Sequence, residues 1–115
     1  MDIKGTMPKY LFHKSSPLNR GSILHSGLLP KIGSSYLCHW EGKKNLRPLI
    51  FFYDKNVMEY DTTYDDDVYK IDVQKLDKRR ISRDPDKDMH GCYCYSLQIA
   101  TRCFTLVHEG TGEEV

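Results

Sequence analysis

The sequence predicts an α+β domain built on a mostly antiparallel sheet with one or two short helices near its N-terminus. Three observations carry this expectation. Leu49 to Tyr53, LIFFY, is apolar on both faces, as a central strand covered on two sides must be. VYKIDVQKL, from Val68, alternates with period two and places Tyr69, Ile71 and Val73 on one side. Helix punctuation is concentrated in one short stretch, between Asn19 and Gly27.

In chain order, Lys9 to His13 (KYLFH) reads as a strand that ends where Ser15, Ser16 and Pro17 begin. Asn19 is placed to N-cap a helix of about two turns, and Gly27 to end it in a left-handed conformation. Ser34 to Trp40 reads as a further short strand, followed by the polar loop EGKKNLRP that leads into LIFFY. The acidic stretch Met58 to Asp67 reads as a helical turn or loop. After the VYKIDV strand, KRRISRDPDKDMHG reads as a charged connection, and GCYCYSLQI and RCFTLVHE as two closing strands. The tail, residues 110–115, reads as solvated and frayed. At 115 residues the chain has room for a single domain spanning 1–115 and one core.

Composition excludes several function classes. Seventeen basic and sixteen acidic side chains leave a formal charge of +1, so no global field steers the chain onto nucleic acid or an anionic membrane. No apolar run approaches a membrane span, and MDIKGTMPKY lacks the apolar centre of a signal peptide, which points to a cytoplasmic protein with no membrane partner. Four cysteines without a secretory signal read as free thiols. Cys92 and Cys94 share a strand face with His90, and with Cys38 and His39 they raise a zinc site. The spacing is not that of a zinc knuckle, so no metal is expected. YDTTYDDD lacks the glycine and the terminal Glu of a calcium loop. The basic clusters Lys43, Lys44, Arg47 and Lys78, Arg79, Arg80, Arg83 read either as phosphate contacts or as solvated faces.

One stretch carries a more specific signal. In LFHKSSPLNRGSILHSGLLP a strand ends in His13, two hydroxyl residues follow, then Asn19, Ile23-Leu24 and Gly27-Leu28. This order resembles the first motif of the ADP-ribosyltransferase superfamily, which includes poly(ADP-ribose) polymerases, small bacterial enzymes and RNA 2′-phosphotransferases. The close match covers about 20 residues, a length for one strand and one helix. In outline the rest is similar in order to the rifampin ADP-ribosyltransferases: LIFFYD, VYKIDV, the Asp-Pro segment RDPDKD, then the closing strands.

The resemblance implies an ADP-ribosyltransferase-like fold and an NAD-dependent mono-ADP-ribosyltransferase, a glycosyl-transferring enzyme that takes NAD as substrate and passes ADP-ribose to an unspecified protein, nucleic acid or small molecule. It implies roles as well. His13 would bond an adenosine-side ribose hydroxyl. The Lys14 backbone and the Ser15 or Ser16 hydroxyl would meet the nicotinamide amide, with Asn19 completing the motif. An aromatic would stack on the nicotinamide: Tyr53 is favoured, with Phe51 and Tyr36 as alternatives, because a phenol suits a partly wet site. Asp84 would supply the carboxylate. Two departures separate the chain from the polymerases: Lys14 replaces the glycine that follows the motif histidine, and HGCYCY carries no Glu at the penultimate strand. The alternative is a catalytically silent module of the same fold that binds a nucleotide, nucleic acid or protein.

Overall fold

The computed structural model describes residues 7–30, 48–55, 64–83 and 91–115. Strands β1 (Tyr10–Ser15), β2 (Ile50–Tyr53), β3 (Asp67–Asp72), β4 (Ile81–Arg83), β5 (Cys92–Tyr95) and β6 (Phe104–His108), with helix α1 (Arg20–Ser26), make an α+β fold. The six strands form one sheet in the order β4-β5-β2-β1-β3-β6, with every pairing antiparallel.

The sheet uses its two faces differently. Leu11, Phe52, Tyr69 and Ile71 are fully buried on one face, where Ile23 of α1 and Tyr95, Ile99 and Phe104 complete the main core. On the opposite face Leu49, Phe51 and Cys94 form a smaller cluster against Tyr53. β2 is therefore buried on both sides and lies third in the sheet, as the unbroken LIFFY run requires.

The boundaries differ from the sequence expectation where long-range pairing takes over. β1 runs on to Ser15 instead of stopping at His13, because β3 matches it residue for residue from Tyr10↔Asp72 to Ser15↔Asp67. β3 stops at Asp72, whose carboxylate accepts the Gln74 N–H at 3.1 Å and turns Val73–Lys75 into a 3-10 turn. Val73 still faces the core, at 1% exposure. The charged connection holds a 3-10 turn, Lys78–Arg80, and then strand β4, which seats Ile81 in the core. A three-residue edge strand among charges gave no periodic signal. Residues 101–103 form a 3-10 turn ahead of β6.

Asn19 occupies the N-cap position of α1 but makes no side-chain capping bond there. A 3-10 turn, Pro17–Asn19, already holds the backbone in helical geometry, and Ser16 caps that turn by accepting the Leu18 N–H. The Asn19 amide donates instead to the Ser15 hydroxyl at 3.1 Å. Gly27 ends α1 with φ +86°, as expected, and a side chain there would strike the Ile99 carbonyl. Leu28 and Ile99 then exchange both backbone hydrogen bonds at 2.9 Å.

The tail, residues 110–115, runs beside the segment that leads into β3. It is exposed, yet its backbone is bonded: Asp65 N–H to Glu113 O at 2.9 Å, Gly112 N–H to Asp65 O at 2.8 Å, and a bridge between Tyr64 and Glu114. Gly110 passes so close to the Asp65–Asp66 backbone that no Cβ fits. Among the described residues no helix is long and apolar enough to cross a membrane. The strand expected over 34–40, the acidic turn over most of 58–67, Asp84, Tyr36, Cys38, His39, His90 and the Lys43–Lys44–Arg47 cluster lie outside the described residues.

Candidate functional site

The sheet has one weak seam. β1 and β3 share a six-residue register, whereas β1 and β2 meet at a single pair, Phe12↔Tyr53. Continued, that register would set Lys14 opposite Phe51. The strands part instead, and the His13 side chain bridges the gap: its Nδ1 lies 2.6 Å from the Phe51 carbonyl oxygen. A carbonyl only accepts, so Nδ1 carries the proton, and in the neutral ring Nε2 is the acceptor nitrogen. The histidine of β1 thus has its tautomer and orientation fixed by backbone.

A cavity of about 310 Å³ opens at this seam, within the size range of small-molecule sites. β1 contributes His13, Lys14 and Ser15, and the following turn contributes Ser16 and Asn19. Facing them, β2 contributes Phe51 and Tyr53, while Ile23, Leu28 and Leu29 form an apolar wall. Tyr53 is half-buried and Phe51 only 3% exposed. Of the residues expected to act together, His13, Lys14, Ser15, Ser16, Asn19 and Tyr53 surround one cavity. Tyr36 and Asp84 cannot be placed, being outside the described residues. β4, which leads into position 84, is separated from β1 by β5 and β2.

Asp66 also lines the cavity, and nothing in YDTTYDDD singles it out. It belongs to three successive aspartates with three separate tasks. Asp65 accepts from His108 Nε2 at 2.7 Å and from the Thr111 N–H at 3.0 Å, which holds its carboxyl below the usual range. Asp66 faces the cavity. Asp67 is fully buried and takes both arms of Arg20, Nε to Oδ2 at 2.8 Å and Nη2 to Oδ1 at 2.7 Å, together with the Gly110 N–H at 2.8 Å. Only the register Ser15↔Asp67, which sets Asp66 beside Ser16, separates these roles.

The Arg20–Asp67 pair fixes the first turn of α1 to the start of β3, directly behind the cavity wall. Two-pronged hydrogen bonding by Arg20 holds the Asp67 carboxyl well below its ordinary value despite burial, and Asp67 in turn raises the Arg20 guanidinium. Tyr69 lies beside this pair, and among the described residues its buried hydroxyl has no partner in good hydrogen-bond geometry, Asp67 being the polar group that acts on it. Burial first, and the Asp67 charge second, push it up to about 12. The sequence did not mark this clamp: Arg20 and Asp67 are 47 positions apart.

Comparison of the chain with protein-family models, with curated proteins and with solved structures gave no match.

Proposed function

We propose that the cleft between β1 and β2 binds NAD and that the chain is a mono-ADP-ribosyltransferase of the ADP-ribosyltransferase-like fold. The observation that carries this reading is the fixed His13: it lies in the second half of β1, is oriented through Phe51, and shares one cavity with Ser15, Ser16, Asn19 and Tyr53. His13 would meet a ribose hydroxyl. The Lys14 backbone and a serine hydroxyl would hold the nicotinamide amide, with Tyr53 against the ring.

In the reaction the bond between ribose C1′ and the nicotinamide nitrogen breaks, and neutral nicotinamide leaves with the bonding pair. The sugar becomes oxocarbenium-like until an acceptor attacks C1′. A carboxylate near the sugar steadies that charge and takes the acceptor's proton. Asp84 fits by its Asp-Pro segment, and Asp66 by its position at the cavity. Three buried free thiols, Cys92, Cys94 and Cys103, are compatible with the reducing cytoplasm that this reading proposes for the protein.

Nicotinamide release by wild type, His13→Ala, Asp84→Ala and Asp66→Asn, with circular dichroism to confirm folding, tests the reading. Loss of His13 or of the operative carboxylate should cost on the order of a hundredfold in turnover. Equal turnover in all four rejects it. A second reading, a silent nucleotide-binding module, rests on Lys14, whose side chain stands at the cavity where relatives leave glycine. NAD binding without turnover, across varied acceptors, would select it.

A further inference from the structure

A second cavity of about 240 Å³ lies away from the cleft, with Tyr10, Lys70, Lys75 and Arg102 in its walls. Asp72 is the single carboxylate there, so the lining carries three positive charges against one negative in a chain whose net charge is only +1. Lys70 Nζ sits 4.1 Å from the centroid of the Tyr10 ring, and Lys9 Nζ 5.5 Å from it. An aromatic face orients an ammonium without neutralising it, leaving its protons for an anion. Among the described residues none of Lys9, Lys70, Lys75 or Arg102 forms an ion pair with a carboxylate.

This charge is continuous with the cleft. Tyr10, Phe12 and Lys14 alternate onto one face of β1, and the register Phe12↔Lys70 brings Lys70 onto that same face. All four are half-exposed. The track spans about 13 Å from Tyr10 to Lys14, at ordinary strand rise, and Lys14 borders the first cavity. Interleaved cations and aromatics along a half-open strand face suit a flexible polyanion bearing flat groups.

We propose that this face of β1 and β3 binds single-stranded nucleic acid, gripping its phosphates at Lys70 and Arg102 and leading it along Phe12 and Lys14 to the cleft. Its role as acceptor rests on the transferase reading above. A nitrogen or oxygen of the strand then bonds to ribose C1′ as the nicotinamide bond breaks, and the acceptor's proton passes to the cleft carboxylate or to solvent.

Fluorescence anisotropy with labelled single strands, between about 50 and 200 mM salt, tests the binding without NAD. Wild type should bind with affinity falling steeply as salt rises. The double variant Lys70→Gln/Arg102→Gln should bind about tenfold more weakly and flatten the logarithmic salt slope by about 1.4, the share of two single-strand phosphate contacts. Absence of strand binding, or equal affinity and slope in the double variant, overturns the proposal. So does binding of ADP that the double variant abolishes where no strand binds, which would give the face to a free nucleotide. Thermal melting guards against misfolding. Acceptor-free NAD turnover, which the double variant should retain, reports on the cleft alone, so the two readings fail separately.

Discussion

The two halves of the sheet are held together by different means. In the half made by β1, β3 and β6, a six-residue ladder and a paired edge are tied by polar contacts: the Arg20–Asp67 ion pair, the His108–Asp65 hydrogen bond, and a tail bonded back to the segment before β3. In the half made by β2, β5 and β4, rows of buried aromatic and apolar side chains, Phe52, Tyr93, Tyr95 and Ile81, do the holding. Among the described residues the strand ladder between the halves is reduced to one register pair, Phe12↔Tyr53, beside which the His13 imidazole meets the Phe51 carbonyl. The apolar core under the sheet spans both halves, Leu11 and Tyr69 with Phe52 and Tyr95, and the cleft opens at the other end of the seam, where β1 keeps its ladder with β3 but leaves β2.

The strongest way to break this comparison is to remove the clamp. Asp67→Ala leaves the Gly110 N–H and the Arg20 Nε without the carboxylate, although Arg20 keeps the Gly110 carbonyl and Glu109, and should cost about 2 kcal/mol in urea unfolding. A loss below about 0.5 kcal/mol, the level of an ordinary surface substitution, would mean that the ladder alone holds this half.

Next comes the seam. His13→Ala removes the bond to the Phe51 carbonyl and should lower stability by about 1 kcal/mol. Amide exchange should quicken at β2 near Phe51 while the β1–β3 ladder stays protected. Uniform loss of protection across both halves would show that His13 supports the whole sheet and not the seam.

Acid sharpens the contrast. Asp67 is depressed by Arg20, so its folded value lies under its unfolded value near 3.8. Stability from the pair is complete above about pH 4 and is lost as pH falls through the depressed folded value. Asp65, depressed by His108, has the same sign. Below about pH 4 unfolding free energy should fall less steeply in Asp67→Asn than in wild type, because the unfolded chain then lacks a carboxylate that takes up a proton before its folded counterpart does. Equal slopes would remove Asp67 from the account.

The smallest effect has the opposite direction. Tyr69 buries a hydroxyl that has no well-formed hydrogen bond among the described residues, while its ring packs edge-on against Phe104 at 5.5 Å. Tyr69→Phe keeps the ring and deletes the orphan, so the protein should unfold at equal or higher denaturant, by up to about 1 kcal/mol. Destabilisation would indicate that the hydroxyl has a bonded partner in solution, such as an ordered water.

Much of the candidate site was legible in advance because it is local. His13, Ser15, Ser16 and Asn19 lie within one strand and one turn, and any fold that keeps that turn keeps them together. Tyr53 needed one further inference, that LIFFY is central. Asp66 and the Arg20–Asp67 clamp were not legible, because nothing in YDTTYDDD distinguishes one aspartate from the next until a register is chosen. β4 was missed for a related reason: three residues among charges carry no periodicity, and only the pairing of Ile81 with Tyr95 makes them a strand.

By itself the sequence determined the α+β class, the doubly buried strand, the helix between Asn19 and Gly27 and the face that Tyr69, Ile71 and Val73 turn inward. Each follows from the two-residue or 3.6-residue period and from residues that start or stop a segment, information read within a few positions. The tertiary structure alone decided where β1 leaves β2, which aspartate is clamped, why the tail stays bonded, and that His13 meets a carbonyl 38 positions away. These depend on register and strand order, and they are set by contacts between distant segments whose sequences carry no mark of one another until the chain has brought them side by side.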